Sequence, residues 1–342
     1  MRIIIALFGF AFLCFGCKTA QTDLYPLQDD EFVIAFGSCN RQDEENRLWD
    51  DVVANNPAVW IWGGDNIYSD TDNMREMRKD YEEQRYQGGY KAVVKSMDVI
   101  GTWDDHDYGL NDGGAEWKMK DEAQELFLNF MDVPKNDPRR NQKGVYNSKI
   151  YNTKAGSVKV IILDTRYFRS PLTKNLGDSG KRFIPNPPGV GTMLGETQWA
   201  WLQNELNTST ADFNIIVSSI QVLSNKHGFE AWANFPSEVE KLFSMIKSSP
   251  AKRVILLSGD RHISEFSEIN ISGLDYPLID FTSSGLTHTY EAYSGEENPY
   301  RVGEVINVKS FGLLKINLKN YRVKMQMIGD GNEVLNELEQ GY

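Results

Sequence analysis

Three carboxylates and a histidine stand together at Asp104-Asp105-His106-Asp107, directly after the apolar run Val99-Ile100-Gly101-Thr102 and Trp103. A β-type run that feeds into so much charge is not arranged for stability, because a buried carboxylate is costly unless a counter-charge meets it. A bound cation would meet it, so the stretch reads first as part of a metal cage. The same layout recurs along the chain. Residues 32–36 run into Gly37-Ser38-Cys39-Asn40, residues 58–62 into Gly63-Gly64-Asp65-Asn66-Ile67-Tyr68, and residues 254–257 into Ser258-Gly259-Asp260-Arg261-His262. One Gly-Asp at a strand end is ordinarily a turn. Four apolar runs that each end in liganding groups, in a chain with only 4 histidines, point to a metal site. Asp65 and Tyr68 lie three apart on a turn, so both can reach one ion. Asp260 and His262 lie two apart and share a face if extended. The glycines beside them let the backbone turn sharply.

These groups need a scaffold that gathers strand ends. Leu48, Trp49, Val52 and Val53 have helical spacing after the first run, and Asn55-Asn56-Pro57 stops it. Residues 69–96 are polar, charged and rich in tyrosine, which predicts helices and loops over one face before the third run. The order strand, helix, strand, helices, strand is α/β, with sites at the carboxyl ends of strands. A strand at 158–163 ends in Asp164-Thr165-Arg166-Tyr167, and one at 213–217 ends in Ser218-Ser219-Ile220-Gln221. Helices are predicted around Ala123, Leu126, Phe127 and Phe130, over 197–206, and over 237–246 with Ser237 and Glu240 as a capping box. The proline- and glycine-rich segment 170–195 is the longest loop, and long loops in compact domains are often functional. Leu314, Ile316 and Leu318, then Val323, Met325 and Met327, alternate as a half-exposed antiparallel hairpin.

The 342 residues suffice for one large α/β domain, and nothing after residue 30 reads as a linker. A net charge of −12 without a basic patch removes the electrostatic footprint of a nucleic-acid binder. At the N-terminus, Arg2 precedes an apolar run over 3–15, then Gly16-Cys17-Lys18 and a polar stretch. That run is too short and wrongly flanked to span a membrane and reads as a secretory signal. The expected organisation is a signal peptide over 1–20 with Cys17 as the lipidated cysteine of a lipoprotein, a tether over 21–30, and a catalytic domain over 31–342. An ordinary signal peptide cut near Ala20 is the alternative. Either way the protein is expected to be exported, to the periplasm or cell surface, with membrane attachment through the lipid. Cys39 is then the one cysteine of the folded body, with no disulfide framework around it.

The ordered motifs Gly37-Ser38-Cys39, Gly64-Asp65-Asn66-Ile67-Tyr68, Trp103-Asp104-Asp105-His106-Asp107, Leu163-Asp164-Thr165-Arg166 and Ser258-Gly259-Asp260-Arg261-His262 resemble those of the PhoD-like alkaline phosphatases, within the calcineurin-like metallophosphoesterases. Leu194-Gly195 with Gln198, Trp201 and Leu202 is also similar to that family. The resemblance runs from about residue 32 to 290. It implies a four-layer α/β/β/α sandwich with two metals at the strand ends. Carried over motif by motif, Cys39, Asp65, Tyr68 and His262 would hold ferric iron, which suits thiolate, phenolate and carboxylate donors. Asp65 as a bridge, with Asn111 and Asp260, would hold calcium through oxygens. If Asn111 does not serve, Asp105 or Asp107 could take its place.

On this reading the protein is a metal-dependent phosphoesterase acting on phosphate mono- or diesters. A phospholipase D-like enzyme on the same site and an inactive binding lipoprotein are the alternatives. His106 would be the general acid, with Asp105 and its neighbours orienting it, so that the opening stretch becomes a catalytic rim rather than the cage itself. Arg166 either clamps a phosphate oxygen or forms a structural ion pair. Ser219 and Gln221 either support a ligand from behind or satisfy a strand end. His227 and His288 have no assigned role, although His288 follows Thr282-Ser283-Ser284-Gly285 closely enough to face the cleft.

Overall fold

Strand β1 (Glu31–Gly37) shows why the apolar runs carry no alternation. Phe32, Ile34 and Phe36 enter one buried cluster, while Val33 and Ala35 enter another on the opposite face. Successive strand residues point to opposite faces, so a strand covered on both sides must be apolar throughout. In the computed structural model, which describes residues 24–28, 30–177 and 180–342, this holds for several strands. The expected signal segment and Cys17 lie outside the described residues.

After β1 come α1 (Leu48–Ala54), β2 (Val59–Gly63), α2 (Met74–Tyr86), α3 (Gly88–Ser96), β3 (Asp98–Thr102), α4 (Asp105–Tyr108) and α5 (Lys120–Phe130). The middle holds β4 (Asn147–Asn152), β5 (Ser157–Ile162), the short β6 (Thr173–Lys174) and β7 (Phe183–Ile184), α6 (Gly195–Asn207), β8 (Phe213–Val217), α7 (Pro236–Ser248) and β9 (Val254–Ser258). Then follow β10 (Ser264–Ile269), β11 (Leu278–Ser283), β12 (Arg301–Ile306), β13 (Phe311–Asn317), β14 (Arg322–Ile328) and β15 (Val334–Gly341).

One sheet runs β15-β14-β13-β1-β2-β3 and the other β12-β10-β11-β9-β8-β5-β4. Their inner faces share a core in which Ile34, Ile61 and Leu314 meet Val160, Ile215, Ile255 and Phe281. The outer face of the first sheet packs Trp60 and Trp62 against Trp49, Tyr90 and Phe127 beneath α1, α3 and α5. The outer face of the second packs Ile161, Ile216 and Leu256 against Trp199, Leu202, Leu242 and Met245 of α6 and α7. The result is a four-layer α/β/β/α sandwich. The parallel pairs β1–β2–β3 and β5–β8–β9–β11 send their carboxyl ends to the same end of it.

Three expectations change. The β13–β14 hairpin is not half-exposed on β13, because Phe311 and Leu313 on its second face pack under the helices. Helix α7 starts at Pro236 with no side-chain cap, and the Ser237 hydroxyl instead accepts the Gly189 N–H at 2.8 Å. Proline at the first helical position has no N–H to satisfy, so the capping box is not needed there. Segment 170–195 is not structureless, since it contains the β6–β7 pair.

Candidate metal centre

Immediately beyond their strands, Cys39, Asp65, Asp260 and His262 adopt left-handed backbone, with φ of 59°, 49°, 68° and 54°. Each such non-glycine residue costs roughly 1–2 kcal/mol and persists only where its surroundings over-determine it. Gly64, at φ 102°, makes the close approach of β2 and β3 possible, because a Cβ there would lie 2.6 Å from Cβ of Asp104.

Three of these residues, Cys39, Asp65 and His262, converge with Tyr68. The Cys39 thiol and the Tyr68 hydroxyl both donate to Asp65 Oδ2, each at 3.3 Å, and Tyr68 O is 3.0 Å from His262 Nε2. The candidate ligand atoms of Cys39, Asp65 and His262 all lie within 4.8 Å of one another. Burial pushes the Cys39 thiol up to about 11. Burial, then the Cys39 charge, raises the Asp65 carboxyl, and burial raises the Tyr68 phenol. Three groups able to carry negative charge are thus crowded where water cannot solvate that charge. A polyvalent cation reverses this penalty by drawing all three to their anionic forms.

A second acidic group adjoins the first. Asp105 brings ligand atoms within 4.8 Å of Asp65 and His106, of Asp104 and Asp260, and of Asp112 and Glu230. Its Oδ2 accepts from Asn111 Nδ2 at 2.9 Å and from the Asp112 N–H at 2.6 Å. Its Oδ1, and Oδ2 of Asp104, are buried without any hydrogen-bond partner among the described residues. Orphaned oxygens on two carboxylates of one ligand group are what a cation would explain. Burial works against the charge on Asp105, but Arg166 and His106 outweigh it and lower its pKa. Burial lifts Asp260 to about 7. The structure therefore brings Asp105 into the cluster itself, where the sequence offered it only as a substitute for Asn111 beside its role of orienting His106. Asp107, the other offered substitute for Asn111, is spent elsewhere. Its Oδ1 accepts from the Asp104 N–H at 2.7 Å and its Oδ2 from Asn66 Nδ2 at 2.6 Å, which ties the β2 and β3 turns together.

His106 stacks on the Tyr68 ring at 4.1 Å and places Nδ1 2.7 Å from Asp70 Oδ2. Its backbone N–H donates to Asp65 Oδ1 at 3.3 Å. Burial pulls the imidazole down, but Asp65, Asp70 and Asp105 outweigh it and lift it to about 10. The carboxylate that holds the ring is thus Asp70, not the flanking aspartates. Sequence reasoning missed it, and its signal is faint: one of two aspartates, Asp70 and Asp72, in the polar loop past Tyr68.

Of the two roles open to Arg166, the structure shows the ion pair. Its guanidinium is fully buried, with Nε donating to Asp104 Oδ1 and Nη1 to Glu230 Oε2, both at 2.6 Å. Arg169 Nε meets Glu230 Oε1 at 2.9 Å. Glu230, unnoticed in the sequence, completes this buried array. Arg166→Met is expected to cost about 3–5 kcal/mol in urea unfolding, because Asp104 and Glu230 stay buried without their counter-charge. Ser219 donates to Asp104 Oδ1 at 2.6 Å and so supports it from behind, whereas Gln221 reaches Glu265 and Thr282 in the interior. His288 packs its ring 4.5 Å from His262 and 4.8 Å from Tyr68. His227 lies apart, accepting from the Phe229 N–H.

A cleft of about 540 Å³ opens over these groups, lined by Asp105, His106, Asn111, Asp260 and His262 among others. A groove of about 510 Å³ between β3 and the β4 segment carries none of the ligand cluster.

A family model described as PhoD-like phosphatase matches residues 34–326. Alkaline phosphatase D of Bacillus subtilis (strain 168) is 24% identical over 244 residues, which cover 62% of this chain and 41% of that protein. The chain thus matches less than half the length of that relative. A solved structure of PhoD superposes with a TM-score of 0.71 at 18% identity, covering 93% of this chain and 69% of that one. GAP50, described as the anchor in the inner membrane complex of Plasmodium, gives 0.58 at 13% identity over 91% of this chain and 89% of its own. A dimetal phosphatase from Danio rerio gives 0.52 at 14% identity over 91% and 99%. These likenesses show a shared fold.

Proposed function

The chain belongs to the PhoD-like phosphatase family, and on that premise we propose that it is a metal-dependent phosphoesterase hydrolysing phosphate mono- or diesters. The observation that carries the reading is the convergence of Cys39, Asp65, Tyr68 and His262 beside the orphaned oxygens of Asp104 and Asp105. Cys39, Asp65, Tyr68 and His262 would hold one ion, and that donor set suits ferric iron. Asp65, Asn111 and Asp260, joined by Asp105, would hold a second through oxygens, which suits calcium. When bound, the ions neutralise phosphoryl oxygens and lower the pKa of an attacking water.

The side chains supply the rest. His106 keeps Nδ1 against Asp70 and carries its transferable proton on Nε2, for delivery to the leaving alkoxide. The Asp70 carboxylate against Nδ1 favours the protonated ring. Tyr68, stacked on the ring, fixes its plane. Arg166 acts at a distance, by balancing the charge of Asp104 and Glu230. We carry the N-terminal reading forward with it: export, with Cys17 lipidated, testable as a mass increment on the mature protein that Cys17→Ser removes.

The experiment is turnover of an aryl phosphate monoester, a bis-aryl phosphate diester and phosphatidylcholine by purified protein, with calcium added or chelated. Turnover of an aryl ester, lost on chelation and regained with calcium, is expected. Release of choline from phosphatidylcholine alone would favour the phospholipase D-like reading. No turnover of any ester by iron-loaded protein would sink the proposal. Elemental analysis without iron would remove the iron assignment to Cys39 and Tyr68.

A further inference from the structure

We propose that Arg182 is a substrate-binding residue that selects phosphate esters bearing a second anionic group; the inference rests on the phosphoesterase reading of the cleft. Four acidic side chains, Asp105, Asp112, Glu230 and Asp260, line the cleft. The chain as a whole is at −12, so an anionic substrate must be attracted locally. Two arginines line this cleft, Arg182 and Arg261. Arg261 is committed elsewhere: its Nη2 bonds both Glu296 oxygens at 2.9 Å, and its guanidinium lies 4.3 Å over the Phe229 ring. The Arg182 side chain is instead 51% exposed, with one ion pair through Nη2, 2.5 Å from Asp112 Oδ2, and its guanidinium 5.5 Å from the Phe183 ring centroid. Its remaining donors bond no protein group among the described residues.

Arg182 is also placed, not merely present. Its backbone N–H and that of Phe183 both donate to the Gly228 carbonyl, at 2.8 and 2.9 Å, and its own carbonyl accepts from the Asn175 N–H at 2.9 Å. A side chain on an anchored backbone, oriented by a carboxylate, loses little freedom on binding. Asp112 in turn donates its N–H to Asp105 Oδ2. Arg182 is therefore linked through Asp112 to Asp105 of the ligand cluster and lines the same cleft, where on this proposal it meets the next group along the ester. A planar fork with free donors at that point fits a carboxylate or a second phosphate. The bland alternative is a tether that only pins the β6–β7 hairpin to Asp112.

Two non-hydrolysable probes with equal chain length separate these roles: 3-phosphonopropionate, with a second anion, and propylphosphonate, without one. Calorimetric titration of the metal-loaded full chain is expected to show about tenfold tighter binding of the first, as one charge-assisted pair would give. Arg182→Ala should abolish that preference while leaving propylphosphonate affinity within about twofold, and Arg182→Lys should keep part of it. Absence of the preference in the wild type, its survival in Arg182→Ala, or equal weakening of both probes would overturn the inference. Binding is read without turnover, so a failure of the phosphoesterase reading shows separately, as wild-type protein that binds the phosphonates but hydrolyses no ester.

Discussion

Asp65→Asn is expected to lower kcat/KM for aryl phosphate esters by about a thousandfold or more, equivalent to about 4 kcal/mol of transition-state stabilisation. Purified protein should contain correspondingly less metal. The reason is the position of this one carboxylate. Oδ2 receives the Cys39 thiol and the Tyr68 hydroxyl, while Oδ1 faces the His106 N–H. No other side chain among the described residues touches both the sulfur–phenol group and the His106 backbone. Asparagine preserves the shape but offers one acceptor oxygen and no charge. Burial already raises the Asp65 pKa, so removing the charge should not destabilise the metal-free fold. The thermal midpoint of chelator-treated variant should match or exceed that of chelator-treated wild type. The added midpoint of metal loading should vanish. A variant with full metal content and full turnover would place the centre elsewhere.

The second large effect is expected at His106. His106→Ala should keep its metals yet lose about 10²–10⁴ in kcat for esters of alkyl alcohols, the range for removing a positioned general acid. Aryl esters with good leaving groups need little protonation and should suffer far less. Asp70→Asn should reproduce a weaker form of the same leaving-group dependence, because Asp70 acts through Nδ1 of the ring. The competing outcome is loss of metal in His106→Ala. His106 lies within 4.8 Å of ligand atoms of Asp65 and Asp105, so a ligand role is geometrically available. Metal loss would return the Asp104–Asp107 stretch to the cage role in which it was first read.

Much of the architecture could be read from local patterns. The runs at 32–36, 58–62 and 254–257 are strands because they are short, apolar and closed by glycine, and the groups behind them lie at strand ends at one end of the sandwich. Other strands escaped. β4 and β15 are sheet edges with mixed, partly exposed faces, so no run or clean alternation marks them. The Ser237 capping box failed for a different reason: a distant loop, at Gly189, took the hydroxyl.

Among the site residues the division is sharper. Cys39, Asp65, Tyr68, Asp260 and His262 could be singled out because they follow three strands, β1, β2 and β9, within a few positions, and a turn after a strand is a local event. The roles of the carboxylates could not be assigned that way. Asp104, Asp105 and Asp107 are neighbours in the chain with nearly identical chemistry, yet Asp104 meets Arg166 and Ser219, Asp105 enters the ligand cluster, and Asp107 ties two turns together. Their partners come from β2, from the ends of β5 and β8, and from a segment past residue 220. Chain order thus determined which groups reach the carboxyl end of the sandwich. Only the packing of two sheets decided which of them face a cation, a counter-ion or each other, because a buried charge takes its role from whatever long-range neighbour can neutralise it.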